Sequence, residues 1–162
     1  MPRLTNLPAN VGAFLDMVAY SELGRLIGIS DDGYNVIVGS TVEKPILFGS
    51  YADHPRRLIW VPRLRLYSSA AGRYQLIEKT WDWCRRELEM HDFGPENQDR
   101  AAIFLIRYRG AYDLVLAGKI EQAIYRCNLE WASLPGDRYG QGANPIEGLL
   151  SVYRSHGGTI NE

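Results

Sequence analysis

Near residue 61 the hydrophobic pattern of the chain changes its period from two to 3.6, and no other feature restricts the fold as much. Before that point SDDG at 30 to 33 signals a turn, YNVIVGS is short and rich in β-branched residues, and VEKP breaks the chain ahead of ILFGSY. Residues 34 to 61 are therefore expected to form a small antiparallel sheet. Beyond it, Ile77, Trp81, Cys84 and Leu88 make one apolar helix face, Ala102, Leu105 and Ile106 a second, and Ile120, Ala123, Ile124, Cys127 and Trp131 a third. A last helix should start at Asn144-Pro145, with Asn144 as cap, Pro145 at the first helical position and Glu147 placed as in a capping box, and end at Gly157-Gly158. A first helix is expected from about 11 to 22, capped by Asn10 and left through Gly24. The fold class that follows is α+β: a mainly helical lobe plus a small antiparallel β-sheet lobe, with a cleft between them. No repeat, low-complexity tract or linker divides residues 1–162, so a single domain is expected.

The first helix contains an anomaly. Phe14, Val18 and Glu22 recur at i, i+4 and i+8, so a carboxylate continues an apolar stripe. Glu22 also falls at the C-terminal end, where the helix dipole disfavours negative charge. Desolvation pushes the same way, and both effects raise its pKa. A carboxyl that stays protonated near neutral pH is what a general acid for glycosidic cleavage requires, and burial in an apolar pocket can bring a glutamate to about 6. The bland alternative is a helix-edge glutamate that reaches water or pairs with Arg25.

Composition matters mainly for what it excludes. With 18 basic and 19 acidic residues the net charge is -1, which gives no argument for nucleic acid. PRRLIWVPRLRLY at 55 to 67 interleaves four arginines with Trp60 and Tyr67, a mixture that binds single-stranded nucleic acid elsewhere, but no recognition module accompanies it. A solvated sheet edge blunted by arginines explains it as well. No apolar run is long enough to span a bilayer and the start lacks a leader-type apolar core, so folding in a cytoplasm without stable membrane association is expected. Cys84 and Cys127 are expected as buried free thiols, and His54, His91 and His156 lack partners at ligand spacing, so neither a metal nor a cofactor is expected.

Three further segments, YADHPRRL at 51 to 58, SSAAGRYQL at 68 to 76 and WASLPGDRYGQ at 131 to 141, combine turn residues with side chains that stack on sugars and bond hydroxyls. Together with AFLDMVAYSE, DDGYNVIVGS, DFGPENQDRAA and the final GGT, they occur in the order found in the phage lambda lysozyme (endolysin) family, which the chain resembles over nearly its whole length. The resemblance implies a lysozyme-like fold and cleavage of the β-1,4 bond between N-acetylmuramic acid and N-acetylglucosamine. It further implies lytic transglycosylation, in which a 1,6-anhydromuramic end forms, with Glu22 as the catalytic residue. A transglycosylase manages with one carboxylate, whereas retaining and inverting glycosidases use two. Asp31, Asp32 and Asp53 are the candidates for a second one, the first two being more readily explained as turn formers.

The substrate-binding residues expected are Ser21, Tyr51, Asp53, His54, Trp60, Tyr74, Gln75, Tyr139 and Gln141. Gln75 ends a G-R-Y-Q segment that looks like the G-x-x-Q element of transglycosylases, while Tyr74 is equally readable as core. Two segments bordering the family's cleft as lips map to roughly His54 through Pro62 and Pro135 through Asn144. The family commonly reads Ser-Glu-Gly, whereas here Leu23 follows Glu22 and the glycine comes one place later, which bears on the loop after the acid. The partners implied are peptidoglycan glycan strands and no nucleic acid, with a monomer waiting in the host cytoplasm for a holin to release it to the wall. A water-using muramidase on the same scaffold and a non-catalytic wall-binding protein are the competing readings.

Overall fold

Helix α1, Ala9–Leu23, is apolar on nearly every side, and Val11, Ala13, Phe14, Leu15, Met17, Val18 and Ala19 are all buried. Such a helix belongs in an interior. The computed structural model describes residues 1–136 and 144–161. Its remaining helices are α2 (Glu78–Glu87), α3 (Pro95–Tyr108), α4 (Tyr112–Leu116), α5 (Ile120–Cys127) and α6 (Ile146–Ser155), with strands β1 (Ile59–Val61) and β2 (Leu66–Ser68). The architecture is α+β, and among the described residues no helix is long and apolar enough to cross a membrane. The chain divides into two units, Met1–Glu22 with Ala102–Glu162, and Leu23–Ala101.

The first unit follows the expected helix faces. Ala102, Leu105 and Ile106 of α3 and Ile120, Ala123, Ile124 and Cys127 of α5 are buried, as are Trp131 and Leu134 just beyond. Helix α4 has no counterpart in the hydrophobic pattern, because five residues are too few to display a period. Both expected asparagine caps need correcting. Asn10 lies inside α1, where its side chain donates to the carbonyls of Val115 and Leu116 and accepts from the Thr159 amide. Asn144 precedes a helix whose cap position is Pro145, with no side-chain cap bond. Helix α6 does end before Gly157, which has a φ of 87°.

In the second unit, Gly24 at a φ of 51° is the expected left-handed exit, and a 3-10 helix over Gly24–Ile29 follows α1 directly. The SDDG turn closes with the Ser30 hydroxyl accepting from the Gly33 amide at 3.0 Å. The sheet departs from expectation. Its two antiparallel strands pair Ile59 with Ser68, Trp60 with Tyr67 and Val61 with Leu66, so the hairpin starts where the expected sheet should have ended. Residues 34 to 48 contribute isolated bridges instead, Val36 with Leu47 and Ile37 with Ala71. Gly33 and Gly39, both at positive φ, confine the extended stretch to a few residues, too short for a ladder.

Polar groups fill much of this unit's interior. Tyr34 and Tyr74 both donate to Asp99 Oδ1, at 2.8 and 2.6 Å. The Gln98 side chain donates to the carbonyls of Tyr34 and Phe93 and accepts from the Arg73 amide. These buried groups are satisfied by one another, as interior polar groups must be. Arg56 ties the base of the hairpin to α2, bonding Asp53, Glu78 and Asp82 at once.

Candidate active site

Glu22 sits in the last turn of α1 on the stripe of Phe14 and Val18, both of which are fully buried, and is itself only partly exposed. Ser133, from the turn that follows α5, donates its hydroxyl to Glu22 Oε1 at 2.5 Å. The Ser21 hydroxyl donates to Ser133 Oγ at 2.9 Å. Asn144 Nδ2 in turn donates to Ser21 Oγ at 3.0 Å, to the Ser21 carbonyl at 3.1 Å and to the Ser133 carbonyl at 3.3 Å. Burial raises the Glu22 pKa from 4.5 to about 7, against the opposing pull of the Ser133 hydrogen bond. The carboxyl is thereby poised to give up or take back a proton near neutrality.

Sequence reasoning misses Ser133 and Asn144 as parts of the site. Ser133 lies within the WASLPG segment, but nothing local marks a serine that reaches a glutamate 111 positions away. Asn144 reads from the sequence as the cap of α6. Its amide instead serves Ser21 and Ser133, because a donor that links two chain segments around a buried carboxyl satisfies more groups than an N-cap would.

Of the other expected residues, all but Tyr139 and Gln141 lie within the second unit. Tyr74 and His54 are interior residues. Tyr74 is spent on Asp99, while His54 Nε2 lies 2.8 Å from the Leu76 carbonyl, Nδ1 accepts from the Arg56 amide, and burial holds its pKa below the usual value. Gln75, at a φ of 47°, donates its amide to the carbonyls of Gly72 and Val36, which fixes it to its own loop. Tyr51 donates to Asp31 Oδ2 at 2.5 Å and packs edge-on against Phe48. Asp53 is bound by Arg56 and Arg85, and the Arg56 hydrogen bond leads the causes that keep its carboxyl below the usual range. Asp32 pairs with Arg73 at 3.0 Å. Trp60 is 49% exposed and packs against Tyr67 across the hairpin at 5.2 Å between ring centroids. Tyr139 and Gln141 lie outside the described residues. Among the described residues no group of three His, Cys, Asp or Glu is placed to hold a metal ion.

Glu22 stands at the end of the first helix, the position expected for the catalytic residue from the sequence resemblance, and a family model for Endolysin matches residues 12–160. The chain belongs to the endolysin family. It is 44% identical over 154 residues to the endolysin of Escherichia phage lambda, covering 93% of this chain and 92% of that one. Against the endolysin of Escherichia phage P2 it is 45% identical over 158 residues, covering 94% and 96%. Two solved structures share its fold. Bacteriophage lambda lysozyme complexed with a chitohexasaccharide superposes with a TM-score of 0.84 at 41% identity, and lysozyme from bacteriophage lambda with 0.85 at 40%, each covering 98% of this chain and all of the other. The fold is therefore lysozyme-like, and the chain is a peptidoglycan-degrading endolysin that lyses the cell wall.

Proposed function

We propose that this endolysin is a lytic transglycosylase, with Glu22 as its single catalytic carboxyl. The observation that carries the reading is the partly exposed, largely desolvated carboxyl with a pKa near 7, held by the Ser133 hydroxyl. The neutral acid protonates the glycosidic oxygen and the bond from that oxygen to C1 of N-acetylmuramic acid breaks. The resulting carboxylate takes the proton from the sugar's own 6-hydroxyl as O6 closes on C1. One proton leaves Glu22 and one returns, no water is consumed, and no second carboxylate is needed. In support, Asp31, Asp32 and Asp53 are each engaged by Tyr51, Arg73 and Arg56 within their own unit.

On this reading the ligand is a peptidoglycan glycan strand, consistent with the hexasaccharide held by lambda lysozyme. Residues 1–162 act as one catalytic domain and as a monomer, kept in the host cytoplasm until a holin releases it. Ser21 supports the acid. Trp60 and the segment containing Tyr139 and Gln141 contact the sugars, while Tyr74 and His54 shape the unit that presents Gln75, Tyr51 and Asp53. Digestion of purified peptidoglycan followed by mass spectrometry tests the reaction type. Muropeptides with anhydro ends, lighter than hydrolysed ones by one water, are expected; reducing ends would show that water attacks and that the enzyme is a muramidase.

A further inference from the structure

The three side chains behind Glu22 form a hydrogen-bond chain whose direction is fixed at both ends once Glu22 is ionised. The amide nitrogen of Asn144 can only donate, and a carboxyl oxygen without a proton can only accept. Between them the Ser21 hydroxyl gives its one hydrogen to Ser133, and the Ser133 hydroxyl gives its one hydrogen to Glu22 Oε1. While Glu22 is ionised, neither serine can reverse without breaking a bond further along.

On the reading of Glu22 as the acid, we infer that Ser133, backed by Ser21 and Asn144, is a positioning residue for it: the chain holds Oε1 as acceptor and leaves Oε2 as the oxygen that carries the transferable proton. When Oε2 releases that proton, the bond from Ser133 becomes charge-assisted and strengthens, which eases the departure. The same bond opposes burial, so the proton is held less tightly than in an apolar site without a donor. Burial and the Ser133 hydrogen bond act in opposite directions on the acidity of this carboxyl, burial being the larger.

Ser133 is placed independently of the bond it makes. Trp131 and Leu134 on either side of it are buried, the Leu134 amide donates to the Trp131 carbonyl, and Asn128 Nδ2 donates to the Leu134 carbonyl at 2.6 Å. The backbone N–H of Asn144 also donates to the Ser133 carbonyl, at 3.0 Å. A hydroxyl set on such a scaffold is aimed before the substrate arrives, which is what electrostatic preorganisation requires.

Rate profiles against pH for wild type, Ser133→Ala, Ser133→Thr, Ser21→Ala and Glu22→Gln, on purified peptidoglycan with thermal unfolding as a folding control, test this. Ser133→Ala is expected to lower kcat roughly tenfold or more with little change in KM, and to displace the basic limb to higher pH. Ser133→Thr should restore both, and Ser21→Ala should move the limb the same way by less. Wild-type kcat and an unmoved limb in Ser133→Ala, beside an inactive Glu22→Gln, would overturn the positioning role alone. So would a loss of activity in Ser133→Ala that threonine does not restore and that leaves the limb in place. Full activity in Glu22→Gln would overturn the reading of the acid itself.

Discussion

As the proposed acid, Glu22 answers to two demands at once, since such a group must hold its proton at the working pH and still release it. Burial meets the first and Ser133 the second. The arrangement has a stability cost that can be read with pH. The folded pKa lies above the unfolded value of 4.5, so the proton-linked stability is fully present below pH 4.5 and is lost as pH rises through about 7. Relative to Glu22→Gln, the wild type should therefore lose about 3 kcal/mol between pH 4 and pH 9. Urea unfolding of both proteins at the two pH values checks this; an equal gap at both would mean the carboxyl is not desolvated. The placing of Glu22 on a buried stripe is legible in the sequence because a helix period is local, whereas Ser133 lies 111 positions from Glu22 and Asn144 lies 123 from Ser21, and neither leaves a trace in any short window.

Among the elements, the apolar faces of α3 and α5 lie where the pattern puts them, whereas of the face expected for α2 only Trp81 and Cys84 are buried, Ile77 and Leu88 being exposed cap positions at its two ends. The hairpin is displaced toward the C-terminus because β-branched composition marks extended chain without saying which stretch finds a partner. Between the bridges and the buried polar cluster lies Gly72, at a φ of 82°, where an added Cβ would collide with Gln98 Oε1 and come within 3.0 Å of Phe93 Cζ. That oxygen accepts from the Arg73 amide, and Gln98 also holds the Tyr34 and Phe93 carbonyls, so it has nowhere to retreat. Gly72→Ala is expected to cost about 2 kcal/mol or more, combining strain at positive φ with disruption of buried hydrogen bonds. A melting temperature equal to wild type would show that the loop relaxes freely.

For the whole molecule, the change of hydrophobic period is enough to give an α+β chain, and family resemblance gives the lysozyme-like fold that the solved structures share. The division into units is less legible, because the first is built from two chain segments and α3 runs across the boundary at Ala101 and Ala102. On the proposed mechanism, the chemistry of this endolysin depends on one carboxyl, that of Glu22, being neutral near physiological pH. The most direct measurement is a carbon-13 NMR titration of the glutamate side-chain carboxyls, with the Glu22 signal assigned by its loss in Glu22→Gln. A midpoint near 7 is the result this mechanism predicts; a midpoint near the unperturbed value of 4.5 would contradict it.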